Sequence, residues 1–233
     1  MLENLVGVTA DKNWLPHHTE GGFLSEGDEH PDPGILHKTE RAVLPVMRRL
    51  STSVPHIGPW IHRRMRKVGE QLLGGSEEVI RSGNWWGNDT AWRMCLDLNK
   101  IIAFGNLDGT FRHEFPENRK PHYSLVDGII SGQGRGPMNP DPTFTGIVVF
   151  GTNPPSVDAV CAQLMGFDLN HIPIVCQAFQ CKRFPITEWD WHDIQVVSNN
   201  SRWNGFIHDL EDEFTFHFEP HFGWKGKIER NVN

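Results

Sequence analysis

The stretch YSLVDGIISGQGRGPMNPDPTFTGIVVFGTNPPSVDAVCAQLMGFD, residues 123–168, decides the fold of this chain. It predicts a strand over Ser124–Ser131, a glycine-rich loop, a second strand over Ile147–Phe150, and a helix that begins near Ser156. Both strands are apolar enough to be buried inside a sheet. The order of elements favours an α/β protein, a single domain with a mixed β-sheet flanked by helices.

Two carboxylates and three glycines make this stretch a candidate site. Asp127 is predicted at a strand end, and Asp158 in the first turn of the helix, where the helix dipole alone would favour a carboxylate. The spacing of Gly132, Gly134 and Gly136 is G-x-G-x-G, but the loop runs into prolines and another strand. That order excludes a dinucleotide fingerprint and a Walker loop. The glycines therefore permit close approach, either of a ligand or of a neighbouring segment.

A loop with two adjacent tryptophans, residues 83–90, leads into a predicted helix that Gly105 ends. Free amides and the helix dipole favour an anion at such a helix start. Alternatively, the tryptophans are core residues and the polar residue before the helix is only its cap. The candidate ligand-binding residues here are Asn84, Trp85, Asn88, Asp89 and Arg93, with Asn88 or Asp89 as the cap.

Residues 1–36 have the composition of a polar loop segment. Within it, DKNWLPHHTEGG (residues 11–22) gathers titratable groups around a tryptophan. Lys12 is a candidate for binding an anion, and His17 or His18 is a candidate general acid or base. A surface loop pinned by its tryptophan is the alternative.

Residues 37–82 form a predicted basic helical segment. Its cations could meet a phosphate, an anionic membrane surface or an acidic partner, or they could simply solvate a helix face. Residues 83–198 are the predicted α/β core, which includes a helix over 168–179. Residues 199–233 are a predicted C-terminal strand, Phe214–Phe218, and a tail.

The composition argues against several classes of protein. A formal net charge of -7 argues against general nucleic-acid binding, and no apolar run is long enough for a transmembrane segment. The four cysteines have no C-x-x-C spacing, so neither a disulfide framework nor an iron–sulfur cluster is expected. Reduced thiols and the absence of a signal-peptide pattern predict a cytoplasmic protein.

One further segment could hold a divalent metal. TEWDWHD, residues 187–193, brings three carboxylates and an imidazole together, although the spacing matches no fixed ligand pattern.

The chain resembles the family catalogued as domain of unknown function 362. YSLVDGIISGQGRGPMNPDP, VVFGTNPPSVDAVCAQLMGFD and HIPIV follow one another as in the C-terminal signature of that family. ENLVGVTADKNWLPHHTEGG and SGNWWGNDTAWRMCLDLNKI resemble two earlier segments, so the resemblance covers most of residues 3–180.

Two departures limit what the resemblance implies. The ferredoxin-like cysteines of some relatives do not occur here, so no iron–sulfur cluster carries over. The segment at residues 3–22 normally follows a substantial α/β portion, so we expect a fragment or a shortened member. A partner chain or a homo-oligomer could complete its site. The family implies a fold and candidate positions but no reaction.

Two functions fit these observations. In the first, the chain is an enzyme for a small anionic or polar metabolite, in which Lys12 and Arg93 bind the anion. His17 or His18 transfers a proton, and Asp127 with Asp158 orients it or holds a metal. In the second, the basic segment is the contact surface of a non-catalytic binding or assembly module.

Overall fold

A computed structural model of the protein describes residues 1–9, 15–16, 83–136 and 139–230. Its contacts divide the chain into two compact units, one formed by Met1–Pro16 with Ala91–Asn233 and the other by His17–Thr90. The helices described in the first unit are α1 (Asn4–Val8), α2 (Ala91–Phe104), α3 (Pro154–Leu164) and α4 (Pro173–Phe179). Its strands are β1 (Ser124–Gln133), β2 (Asp141–Gly151), β3 (Gln195–Val196) and β4 (Gly205–Phe206).

Helices and small antiparallel sheets occur together, which confirms the predicted α/β class. β1 pairs antiparallel with β2, and β3 pairs antiparallel with β4. Short 3-10 turns link the later elements, at Pro116–Asn118, Leu169–His171, Trp191–Asp193, Ser201–Trp203, Ile207–Asp209 and Asp212–Phe214.

The hairpin of β1 and β2 carries a register shift in its middle. Gly128 pairs with Ile147, but the next pair is Ile130 with Phe144, so the alternation of β1 changes at this bulge. Ile129 and Ile130 consequently both lie on the exposed side. The prediction of two buried strands was wrong, because side chains on one face of the hairpin alternate outward into solvent.

The opposite face of the hairpin lies towards α3. A Cβ on Gly151 would stand 2.6 Å from Val157 Cγ2, so only glycine permits this close approach of strand and helix. Beyond α3, buried apolar side chains form a core with α4 and the β3–β4 region. The members of that core are Ala159, Ala162, Leu169, Val175, Ile194 and Ile207.

The helix predicted after the tryptophan loop is confirmed as α2. It ends where Gly105 donates its backbone amide to Ile101 O over 2.7 Å. A Cβ on Gly105 would lie 2.5 Å from that carbonyl oxygen, which is why glycine ends the helix here. α2 packs against the first residues of the chain and against α4, through Leu2, Leu96, Ala178 and Ile186.

Two later predictions need correction. The helix expected over 168–179 is divided, because Pro173 restricts the residue before it and opens a separate helix, α4. The run Phe214–Phe218 is not a strand, since His217 has φ 47° and breaks the pleat. Its amides instead cap the end of α3: Phe216 and Phe218 donate to Leu164 O and Met165 O, each over 2.8 Å.

Candidate functional site

The junction where β2 passes into α3, residues 151–158, is held by a buried asparagine. Asn153 Oδ1 accepts hydrogen bonds from the amide and the hydroxyl of Ser156, each over 3.1 Å, and so caps α3. Its Nδ2 donates to Thr187 Oγ1 over 2.9 Å. One side chain thus fixes the start of the helix and ties it to residues that are distant in sequence.

The first residues of the chain join this junction through Asp158. Its carboxylate accepts from the Met1 amino group and, over 2.7 Å, from the backbone amide of Leu2. Asn99 of α2 donates from Nδ2 to Leu2 O over 2.8 Å. Both carboxylate oxygens of Asp158 are therefore engaged in positioning the first residues of the chain.

Three residues at or just before the start of β1 lie close to this junction. Arg119 donates to Ile186 O and forms an ion pair with Glu188 at 2.9 Å, beside Thr187. His122 is half-buried, and burial, then the charges of the Met1 ammonium and Arg119, lower the pKa of its imidazole. Ser124 is fully buried and pairs with Gly151 across the hairpin.

The hydroxyl of Ser124 has no hydrogen-bond partner among the described residues. A buried polar group without a partner costs about 1–3 kcal/mol, and such groups in folded proteins need an explanation. We call Arg119, His122, Ser124, Asn153 and Asp158 the junction cluster.

A scan against family models matches residues 2–163 of the chain to the family described as Domain of unknown function (DUF362). The match covers more than half of the sequence. The chain belongs to the DUF362 family. Comparison with curated proteins and with solved structures gives no match.

The two carboxylates predicted to act together in this DUF362 chain lie on different elements, Asp127 on β1 and Asp158 on α3. Asp127 lies inside β1, opposite Val148, and its side chain is on the exposed face of the hairpin. Its Oδ1 accepts from the Ile129 amide over 3.1 Å at the bulge. The predicted position at a strand end was wrong, because β1 continues to Gln133.

The glycine-rich loop is the turn of the hairpin. Two of its glycines, Gly132 and Gly134, lie close to a neighbouring segment. Gly134 has φ 68° and donates its amide to Glu219 O over 2.8 Å. The amide of Glu219 donates in turn to Gln133 Oε1 over 2.8 Å. A Cβ on Gly132 would stand 2.7 Å from Pro140 Cβ, whereas one on Gly136 would meet nothing within 4 Å.

In the tryptophan loop, Asn88 holds the backbone of the loop together. It is buried, donates from Nδ2 to Gly83 O and accepts from the Thr90 amide, both over 2.9 Å. Trp85 is buried, as expected if it is a core residue, whereas Trp86 is exposed. Asn84 and Asp89 are half-buried in this loop.

Arg93 is exposed on α2, with its guanidinium 4.3 Å from the centroid of the Trp92 ring. The predicted site residues Lys12, His17 and His18 lie outside the described residues, as does the basic segment from Lys38 to Lys67.

Burial raises the pKa of two of the cysteines, and an aspartate of the TEWDWHD segment binds the histidine two residues on. Burial, then the Glu3 carboxylate, raises the pKa of Cys95 to about 12, and burial, then Asp158, raises that of Cys161 to about 11. All four thiols are free. Asp190 accepts from His192 through both the ring, over 2.6 Å, and the amide, over 2.9 Å.

Within the described ranges, no group of three or more histidine, cysteine, aspartate or glutamate side chains could hold a metal ion. Nor does any helix in them have the length and apolar character to cross a membrane.

A hydroxyl, an imidazole and a carboxylate lie together near the end of the chain, but they lack the geometry of a catalytic triad. His217 Nδ1 lies 3.4 Å from Thr215 Oγ1 and 3.9 Å from Asp212 Oδ2. A relay needs one ring nitrogen on the nucleophile and the other on the carboxylate. Here a single nitrogen faces both groups, so Thr215 is not activated by this arrangement.

Sequence reasoning found Asp158 but missed the rest of the junction cluster. Arg119 and His122 lie outside the motifs described from the sequence, and the partners of Arg119, Ile186 and Glu188, are far away in sequence. Only the N-P-P-S pattern at a helix start carried a signal, and it points to Asn153 as a cap.

Proposed function

We propose that this DUF362 chain binds a small anionic or polar metabolite at the junction cluster and acts on it as an enzyme. The observation that carries the proposal is the fully buried Ser124 hydroxyl without a hydrogen-bond partner, two residues from a half-buried histidine. A polar ligand reaching Ser124 would satisfy this group and recover its desolvation cost.

His122 takes the acid–base role in this proposal. A lowered pKa leaves the imidazole neutral near pH 7, so the ring can accept a proton from a bound substrate. Arg119 supplies a positive charge nearby, which favours an anionic substrate group.

Asp158 positions the first residues of the chain beside the junction, and its predicted role beside a catalytic histidine stays a prediction. The anion-binding role predicted for Lys12 and Arg93 stays part of the proposal, and His17 or His18 stays the alternative to His122 for the acid–base role. A divalent metal stays part of the proposal as well. The free thiols agree with a cytoplasmic location, which we propose as well.

A thermal-shift panel of carboxylates, phosphate esters and amino acids tests the proposal on the full chain. A ligand at about 100 times its dissociation constant adds about 2.7 kcal/mol to the stability of the protein that binds it. Ser124→Ala and His122→Gln should retain the fold and lose that gain, while His113→Gln, an exposed histidine elsewhere, should keep it. A ligand that stabilises all of these variants equally would place the site elsewhere.

A second candidate function, a binding or assembly module, has support from a different surface. The sequence assigned that role to the basic segment, whereas the described structure offers the exposed apolar face of the hairpin. Contiguous exposed apolar patches on soluble proteins mark interaction sites.

A further inference from the structure

One face of the β1–β2 hairpin is apolar and exposed. It continues from Tyr123, whose ring stacks on Phe150 with centroids 6.3 Å apart, to the bulge at the middle of the sheet. The side chains of this hairpin face are between 55% and 81% exposed. They are Tyr123, Leu125, Ile129, Ile130, Phe144, Val148 and Phe150.

The register places these side chains side by side. Leu125 pairs with Phe150, and Ile130 pairs with Phe144. Because the bulge turns both Ile129 and Ile130 outward, the apolar surface continues across the point where β1 changes its alternation. A two-stranded hairpin is marginally stable alone in water, so burying this face against a partner would stabilise the hairpin.

From these observations we propose that the hairpin face is the contact between two copies of this chain, packed sheet on sheet about a two-fold axis. An aromatic side chain can bury about 150–250 Å², so at these exposures the face offers on the order of 800 Å² per copy. That area is what a standard stable interface requires from each partner, at roughly 800 Å².

The shape of the face suits a second copy of itself. Phe144 and Val148 project from it on either side of Gly146, where a Cβ would meet nothing within 4 Å. A ring of one copy can enter this hollow on the other, as side chains interdigitate between packed sheets. A two-fold axis forms both such contacts at once.

One carboxylate on the hairpin face distinguishes a second copy from another partner. Asp127 lies opposite Val148, and the other named side chains of the hairpin face are apolar, so pairing with a copy of this face would partly desolvate Asp127 without placing a cation of the face beside it. Asp127→Asn should therefore strengthen self-association. A partner that presents lysine or arginine to this face would instead bind the Asp127→Asn variant more weakly.

Sedimentation velocity of the full chain, over about 1–100 µM, measures the association, since interfaces of this size bind at micromolar strength or tighter. We expect a dimer that Phe150→Lys and Val148→Lys each weaken by at least about tenfold, as central truncations cost more than 1 kcal/mol. Leu107→Lys, an equally apolar exposed position outside the face, should leave the dimer intact.

Salt gives a second readout. Each copy has a formal charge of -7, so screening at about 0.5 M salt should strengthen an apolar contact between copies. A contact that weakens with salt and with Asp127→Asn would overturn the second copy in favour of a cationic partner. A chain that is monomeric at every concentration would overturn the proposal as well.

The chain has a single tyrosine, Tyr123, which allows a test without any substitution on the face. Incorporation of 3-fluorotyrosine gives one fluorine resonance that reports this face directly. We expect its chemical shift to move with protein concentration and its response to deuterated solvent to fall as the dimer forms. A resonance unaffected by dimerisation would place the contact elsewhere, even if the lysine variants failed to fold.

Discussion

The close contact between Gly151 of β2 and Val157 of α3 allows a quantitative test of the junction. A Cβ at position 151 would lie 2.6 Å from Val157 Cγ2, and Val157 is 4% exposed, so neither group can move into solvent. Gly151→Ala should therefore destabilise the protein by about 1–3 kcal/mol through overpacking. Val157→Ala removes the obstructing methyl groups, at a cost of about 2 kcal/mol for the cavity.

The two changes should compensate one another. In the double variant the new alanine methyl occupies space that Val157 leaves, so the combined loss should be smaller than the sum by about 1–2 kcal/mol. Urea unfolding, followed by circular dichroism, measures each free energy. Gly136→Ala is the matched control, because its Cβ would meet nothing within 4 Å, and it should change stability by less than about 0.5 kcal/mol. Additive losses, or a Gly151→Ala protein as stable as the control, would refute the contact.

Three further outcomes follow from the same region. Asn153→Ala should cost about 1–2 kcal/mol in urea unfolding, since it removes the cap of α3 and the partner of Thr187; a smaller loss than that of the exposed Asn139→Ala would contradict this. The lowered pKa of His122 means that the unfolded chain binds its proton first, so stability should fall as pH drops below about 6.5. In His122→Gln this pH dependence should be shallower. The raised pKa of Cys161 gives stability the opposite pH dependence. The unfolded thiol loses its proton first, so stability should fall above pH 9.0, and it should fall less in Cys161→Ala.

The local part of the fold follows from the sequence. Apolar and β-branched runs identified β1 and β2, and a predicted capping residue with a terminal glycine identified α2, because these signals act between residues close in the chain. The exposure of the hairpin could not be predicted in this way. Whether an apolar strand lies at the centre of a sheet depends on which other strands pair with it, and that is a long-range property.

The candidate site was predictable only in part for the same reason. Asp158 was singled out because it follows a strand and opens a helix, yet its carboxylate binds residues 1 and 2. Arg119 gave no signal, since its contact with Ile186 joins residues 67 positions apart. The glycine spacing drew attention to Gly134, whose actual contact is with Glu219, at the other end of the chain.

Hydrogen–deuterium exchange of the full chain, with and without a metabolite that raises its melting temperature, tests the proposed ligand site most directly. Exchange reports local opening, so a bound ligand slows it where the ligand makes contacts. We predict slower exchange in residues 119–124, 151–158 and 186–189, and loss of that protection in Ser124→Ala. Protection confined to other segments, such as the hairpin turn at residues 132–136, would contradict a ligand site at the junction cluster.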